Sequence, residues 1–302
     1  MTDPAKLRRQ RLAGIAFICA TVVFFAGLDT TAKYLNQYMD TVQVVWARYT
    51  GGFLLALILF NPVSRPGLMR TSRPWLQIGR SVLLLGSTAF NFLALRWLQL
   101  DQTTTIMFST PFLVAVLSGP MLGERVGWRR WSAIVIGFIG VLLVARPGFG
   151  GIHPAALLSV LSVFCYGFYM IATRILARTD SNETTLFYSN VVGAALMCAL
   201  VPFFWRTPHD PLVIALMVIS GALGSIGHYF LIIAHRLAPP AILAPFLYTQ
   251  LVWAMILSYL VFADLPNRWT LAGVAVVVAS GLYLLHRDQK VGRRTVNESL
   301  VE

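Results

Sequence analysis

Apolar stretches of about 20 residues, one after another, leave this chain very little choice of fold. At a rise of about 1.5 Å per residue, each is long enough as a helix to cross a hydrocarbon core of about 30 Å. Hydrophobic types make up 57% of the 302 residues and charged types 12%, where soluble domains carry roughly 25%. A membrane-spanning β-barrel is excluded, because its strands would alternate apolar and polar positions and these runs are continuous. The pattern predicts an all-α integral membrane protein with helices at 12–35, 41–60, 75–97, 101–121, 128–145, 154–177, 183–204, 211–235, 240–262 and 269–286. Breakers fall between them: Asn61-Pro62, Arg65-Pro66, Arg146-Pro147-Gly148, Thr207-Pro208, Asp210-Pro211 and Ala238-Pro239-Pro240. No loop is long enough to hold a soluble domain.

The ten spans repeat. Ala94, Arg96, Phe108, Ser109 and Glu124 fall on Ala234, Arg236, Tyr248, Thr249 and Asp264 at a constant offset of 140. Earlier in each half, Gly27 falls on Gly167 at 140 and Gly52 on Gly193 at 141, as a one-residue loop insertion would give. Five spans per repeat is an odd number, so the second copy must enter the bilayer from the opposite side. The expected organisation is a tail at 1–11, a first five-helix repeat at 12–147, an inverted second repeat at 148–286, and a tail at 287–302.

A net charge of +12 would point to nucleic acid in a soluble protein, but here the basic residues cluster in tails and loops. With the amino terminus inside, seventeen of the 24 Lys and Arg lie on the cytoplasmic side and five on the external side. That asymmetry places both termini in the cytoplasm. The first apolar run follows Lys6, Arg8, Arg9 and Arg11 but outlasts a signal-peptide core and lacks a small-residue cleavage site, so it reads as a span. Cys19, Cys165 and Cys198 lie in apolar runs without metal-ligand spacing, which implies no disulfide framework, no metal and no cofactor.

The duplicated ten-span plan, with Ala94-Leu95-Arg96-Trp97 before the fourth span and Gly123-Glu124-Arg125-Val126-Gly127-Trp128 after it, resembles the drug/metabolite transporter superfamily and its EamA-type exporters. Pro111 and the spaced glycines Gly137 and Gly140 belong to the same motif. The second half departs from it, with Asp264 for Glu, Leu251 where Pro111 would recur, and Gly273 and Gly281 as its glycines. Within the superfamily the chain looks most like bacterial exporters of aromatic and neutral amino acids. The resemblance implies a small-molecule substrate, a bacterial inner-membrane location and no nucleic-acid partner; it leaves the oligomeric state open and is compatible with a monomer.

A charge inside a bilayer costs about 2.5 to 3.5 kcal/mol on insertion scales, so ionisable residues in spans are functional candidates. Asp29 and Lys33 share a face of the first span, and Arg48 on the second lies at similar depth. Asp29 and Arg48 either form a fixed pair tying two helices, or Asp29 binds a proton or the amino group of a substrate; Lys33 and Arg48 can also snorkel to the interface. Arg80, near the start of the third span, reads as snorkelling to headgroups. The third span carries Asn91 after Gly86-Ser87-Thr88, and the eighth carries His228 after Gly221, Gly224 and Gly227. Each is either a buried hydrogen-bonding group or part of a cavity wall. Phe108, Ser109, Tyr248, Gln250 and Trp253, with Tyr166 and Tyr169 of the sixth span, supply aromatic walls and hydrogen-bonding groups suited to an amino acid, though packing explains such residues equally well. Glu124 and Asp264 each precede a helix and read as caps or gates. Pro111 and Pro245, inside spans, would kink their helices and serve as hinges.

These observations favour secondary transport at a central cavity. An ATP-driven machine is excluded by the absence of a G-x-x-x-x-G-K-[ST] loop, and an intramembrane enzyme would need a convergent catalytic set that the sequence lacks. Export of other metabolites, drugs or cationic compounds, or passive permeation through a channel, are the competing readings.

Overall fold

The computed structural model describes residues 4–59, 66–122, 128–145, 153–177, 179–238 and 240–298. The motif Gly123-Glu124-Arg125 and the breakers Asn61-Pro62 and Arg146-Pro147-Gly148 lie outside them. Among the described residues twelve α-helices follow one another: α1 (Pro4–Leu35), α2 (Thr41–Leu59), α3 (Pro74–Ala94), α4 (Leu100–Met107), α5 (Thr110–Leu122), α6 (Trp128–Ala145), α7 (Pro154–Leu176), α8 (Asn182–Leu200), α9 (Pro211–Leu237), α10 (Pro240–Leu247), α11 (Thr249–Phe262) and α12 (Arg268–Glu298). No strand occurs among the described residues.

Six helical stretches are long and apolar enough to cross a membrane, Arg8–Leu35, Thr41–Ile58, Pro154–Leu176, Asn182–Phe203, Pro211–Leu237 and Pro245–Phe262, the last running through the junction of α10 and α11. Helix α3 falls short of that apolarity because it turns Gln77, Arg80, Ser81, Ser87 and Thr88 into the bundle. The outside of the bundle is apolar, with Ile58, Phe138, Leu157, Val218 and Leu260 all exposed. Five exposed tryptophans stand at helix ends: Trp75, Trp128 and Trp269 at the starts of α3, α6 and α12, and Trp97 and Trp205 just past the ends of α3 and α8. An apolar band with tryptophan at its margins is the surface a bilayer selects.

The fourth and ninth expected spans, read from sequence as continuous helices, are each broken in two. The breaks fall at Phe108-Ser109, between α4 and α5, and at Tyr248, between α10 and α11, which are the positions matched at an offset of 140. The same chemistry relieves both. Ser109 Oγ donates to the Ile106 carbonyl and Thr249 Oγ1 to the Phe246 carbonyl, each at 2.6 Å. A hydroxyl that reaches back to a carbonyl satisfies a group that water would otherwise have to reach. Pro111 therefore does not kink a helix from within; it sits in the first turn of α5, where the missing N–H is harmless. Pro245 does lie inside α10, three residues before the break.

The packing pairs helices across the duplication. Helix α1 packs along α9 and α3 along α7, which are equivalent contacts if the halves are exchanged, while α2 meets α8 and α6 meets α12 as self-related pairs. A Cβ on Gly52 would press on Asn190, and one on Gly193 would press on Tyr49. Since Gly52 matches Gly193 and Tyr49 matches Asn190 at an offset of 141, the two contacts are one contact seen twice. Phe108 and Tyr248, also repeat mates, stack on each other at 4.8 Å between centroids.

Candidate functional site

Polar side chains from α1, α2, α3, α7, α8 and α9 converge inside the bundle. On α1 and α3, Asn91 Nδ2 donates to Asp29 Oδ1 at 3.2 Å. Arg48 of α2 lies within electrostatic range of Asp29 but forms no ion pair with it, so the two helices are not tied by a direct salt bridge. The guanidinium instead covers the ring of Tyr49, 4.4 Å from its centroid. His228 of α9 packs edge-on against Phe25 at 4.9 Å, within electrostatic range of both Arg48 and Arg80. Asp29, Tyr166 and His228 are surrounded by protein, yet each keeps part of its surface uncovered.

Arg80 is the largest correction to the sequence reading. Far from snorkelling outward, it is 4% exposed and points into the bundle. Its Nε donates to Thr173 Oγ1 at 2.6 Å, Nη1 to the Thr185 carbonyl at 3.1 Å and Ser189 Oγ at 2.8 Å, and Nη2 to Tyr169 OH at 2.8 Å. The Tyr169 ring lies 4.4 Å below the guanidinium and stacks in turn on Tyr166. Four hydrogen bonds to neutral acceptors and a π face explain how a cation survives there without a carboxylate partner. The clue in the sequence was the stripe Gln77, Arg80, Ser81, Leu84, Thr88, all buried on one face of α3.

At one end of the bundle Lys33 is held not by Asp29 but by Asp264, Nζ to Oδ2 at 2.7 Å, with the Phe262 ring against the ammonium. Helix α11 ends in a left-handed turn: Ala263 takes the left-handed conformation at φ 56°, and the amides of Ala263 and Asp264 donate to the Tyr259 and Ser258 carbonyls. That turn aims Asp264 across at α1. Capping of α12, the simpler expectation for Asp264, falls to Asn267, which accepts from the Trp269 and Thr270 amides. Asp101, in the first turn of α4 and 1% exposed, joins the same charged cluster and was not anticipated. Its sequence position, at the apparent edge of a span, made it look solvated.

Of the remaining expected residues, Phe108 and Tyr248 meet in the stack at the helix breaks, and Ser109 spends its hydroxyl on the backbone there. The hydroxyl end of Tyr248 runs against Gly281 of α12. Gln250 is half-buried two residues further on. Trp253 is not brought to the centre: it is 38% exposed, on the same outer face of α11 as Ile256 and Leu260. No cluster of metal-ligating side chains occurs among the described residues.

The EamA-like transporter family matches this chain twice, over residues 12–146 and 153–285. An S-adenosylmethionine uptake transporter of Rickettsia felis is 28% identical over 286 residues, covering 94% of this chain and 96% of the relative. A riboflavin transporter of Rhizobium johnstonii is also 28% identical over 286 residues, covering 94% of this chain and 91% of the relative. A solved crystal structure superposes with a TM-score of 0.63 at 17% identity, over 87% of this chain and 93% of that one, which shows a shared fold. The expected narrower likeness to amino-acid exporters finds no support in these relatives. With its two halves each matched, the chain belongs to the EamA-like transporter family, whose members are multi-pass membrane transporters of small molecules.

Proposed function

We propose that the protein is a secondary transporter for a zwitterionic, cation-bearing metabolite of the S-adenosylmethionine class. It works by alternating access between two inverted five-helix halves in the bacterial inner membrane, with both termini in the cytoplasm. The observation that carries this reading is the buried layer of ionisable groups, Asp29, Arg48 and Arg80, with the imidazole of His228 beside them. Groups this expensive to bury are retained inside a bundle when the cargo itself is charged. Riboflavin, the cargo in the name of the second relative, is neutral and gives Arg48 and Asp29 nothing to neutralise. S-adenosylmethionine offers a carboxylate, an ammonium and a sulfonium, together with a flat base. The stacked pairs Phe108/Tyr248 and Tyr166/Tyr169 present π faces that suit both the sulfonium and the base.

Inversion of the halves is supported by the way the ends pair. Lys33 meets Asp264 at one end, where the loop after α8 also meets α2 through Arg206 and Gln43. At the other end Thr71 and Gln77 meet Asp180, and Arg236 meets Glu183. Equivalent positions of the two repeats, such as Arg96 and Arg236, thus stand at opposite ends, as a half-turn in the membrane plane requires. The excess of basic residues assigns the second end to the cytoplasm.

Counterflow in proteoliposomes tests the reading. Vesicles preloaded with unlabelled S-adenosylmethionine should take up the labelled compound with saturable, trans-stimulated kinetics, and riboflavin should neither enter nor compete. Riboflavin entry without S-adenosylmethionine entry would replace the substrate class. Non-saturable entry of every solute would replace the carrier with a channel.

A further inference from the structure

We infer that Arg48, opposed by Asp29 and Asn91, is the seat of an α-amino-carboxylate head group: the guanidinium takes the carboxylate, and the aspartate with the free amide oxygen of Asn91 takes the ammonium. This rests on the transport reading above and names the part of the substrate that the charged layer recognises.

The two buried arginines are in opposite conditions. Arg80 has its guanidinium almost fully occupied by protein acceptors. Arg48 is 7% exposed, and among the described residues no protein group accepts a hydrogen bond from it; its Nε is fully covered and unpartnered. It lies over Gly224 of α9, where an added Cβ would sit 3.4 Å from Nε, and beside Leu28 of α1. A guanidinium left this way inside a protein is a strong donor without an acceptor, a condition that a carboxylate relieves with two parallel bonds.

The duplication explains how the vacancy of partners arises. At an offset of 140, Arg80 corresponds to Ser220 and Tyr169 to Asp29; at 141, Ser189 corresponds to Arg48. Two of the groups that hold Arg80, Tyr169 and Ser189, therefore stand where the other half carries Asp29 and Arg48. Ser220 donates to its own helix, to the Met217 carbonyl at 2.7 Å. One half closes on its own arginine, and the other sets an arginine and an aspartate close together without joining them. Asn91 gives its amide hydrogen to Asp29 and keeps Oδ1, buried and unpartnered, as a further acceptor. A cation and two acceptors that are close but not paired match the two charges of an amino-acid head group, which are joined by a single carbon.

The experiment compares S-adenosylmethionine with its decarboxylated form on wild type, Arg48→Gln and Arg48→Lys, in counterflow and by equilibrium binding of the purified proteins. Wild type should favour the parent compound by about tenfold or more, the discrimination expected when a built hydrogen-bonding site loses its partner. Arg48→Gln should bind the two compounds alike, with the half-saturation concentration for the parent raised about tenfold and the maximal rate changed far less. Arg48→Lys should keep part of the preference, and unfolding midpoints establish that both variants are folded. An Arg48→Gln protein that retains the wild-type preference overturns the assignment. If wild type ignores S-adenosylmethionine, the proposed substrate falls separately, and the head-group site is then read from methionine against 3-methylthiopropylamine; equal or absent binding of that pair to wild type overturns it as well.

Discussion

Single residues in this bundle are governed by whether their hydrogen bonds close. Asp180, in the loop between α7 and α8, shows the arithmetic in the open. Burial pushes its carboxyl up, but hydrogen bonds from Thr71 at 2.5 Å and Gln77 at 2.7 Å, with Thr179 and the Ser72 amide, outweigh that and hold it below the ordinary carboxylate range. A carboxylate depressed by folding contributes stability above its unfolded value, near 3.9, and loses it as the pH falls through the folded value. Asp180→Asn should therefore lower the unfolding midpoint in detergent at neutral pH, and the gap to wild type should close as the pH falls through the carboxyl's folded value. A gap that stays constant across that range would mean the aspartate acts by shape alone. Arg80 follows the same logic in the hidden core. Its type and position were legible, but its direction was not, because an arginine near the end of a span can reach headgroups or turn inward at similar sequence cost. Only the acceptors on α7 and α8, about a hundred positions away, decide between them.

Elements are governed by how closely backbones approach. Helices α2 and α9 cross at Gly51 and Gly221, where a Cβ added to Gly221 would stand 2.5 Å from the Gly51 Cα. Small residues at such crossings let van der Waals packing replace the hydrophobic effect, which lipid does not supply. Gly221→Val should destabilise the fold by about 1 to 3 kcal/mol through overpacking. Gly79→Ala, on an open face of α3 with nothing within 4 Å, should be neutral or slightly stabilising, since alanine is the better helix former. Thermal unfolding of both variants checks the contrast, and equal effects would remove the packing argument. Breaks inside spans belong to this scale too. Phe108-Ser109 and Tyr248-Thr249 were recognisable as repeat mates, and prolines nearby marked the regions as weak. That each span separates into two helices depends on hydroxyls finding carbonyls three residues back, a choice that propensity leaves open.

At the scale of the molecule, alternating access requires one end of the bundle to separate while the other holds. Lys33 and Asp264 link α1 of the first half to the end of α11 in the second, so opening that end must part them. Cysteines at these two positions, with Cys19, Cys165 and Cys198 replaced by serine, should be joined by a reducible bis-methanethiosulfonate linker, with counterflow lost on linking and restored on reduction. Transport that continues in the linked protein would show that this end does not open. The sequence by itself determined the membrane class, the number of apolar runs and the duplication, because length, hydropathy and a constant offset are local or periodic properties that any correct fold must respect. Tertiary structure alone decided which charges pair, which arginine is occupied and which is left without an acceptor. Those outcomes depend on distances between helices far apart in the chain, and in a medium of low dielectric an ångström of separation determines whether two charges bind each other or wait for a third group.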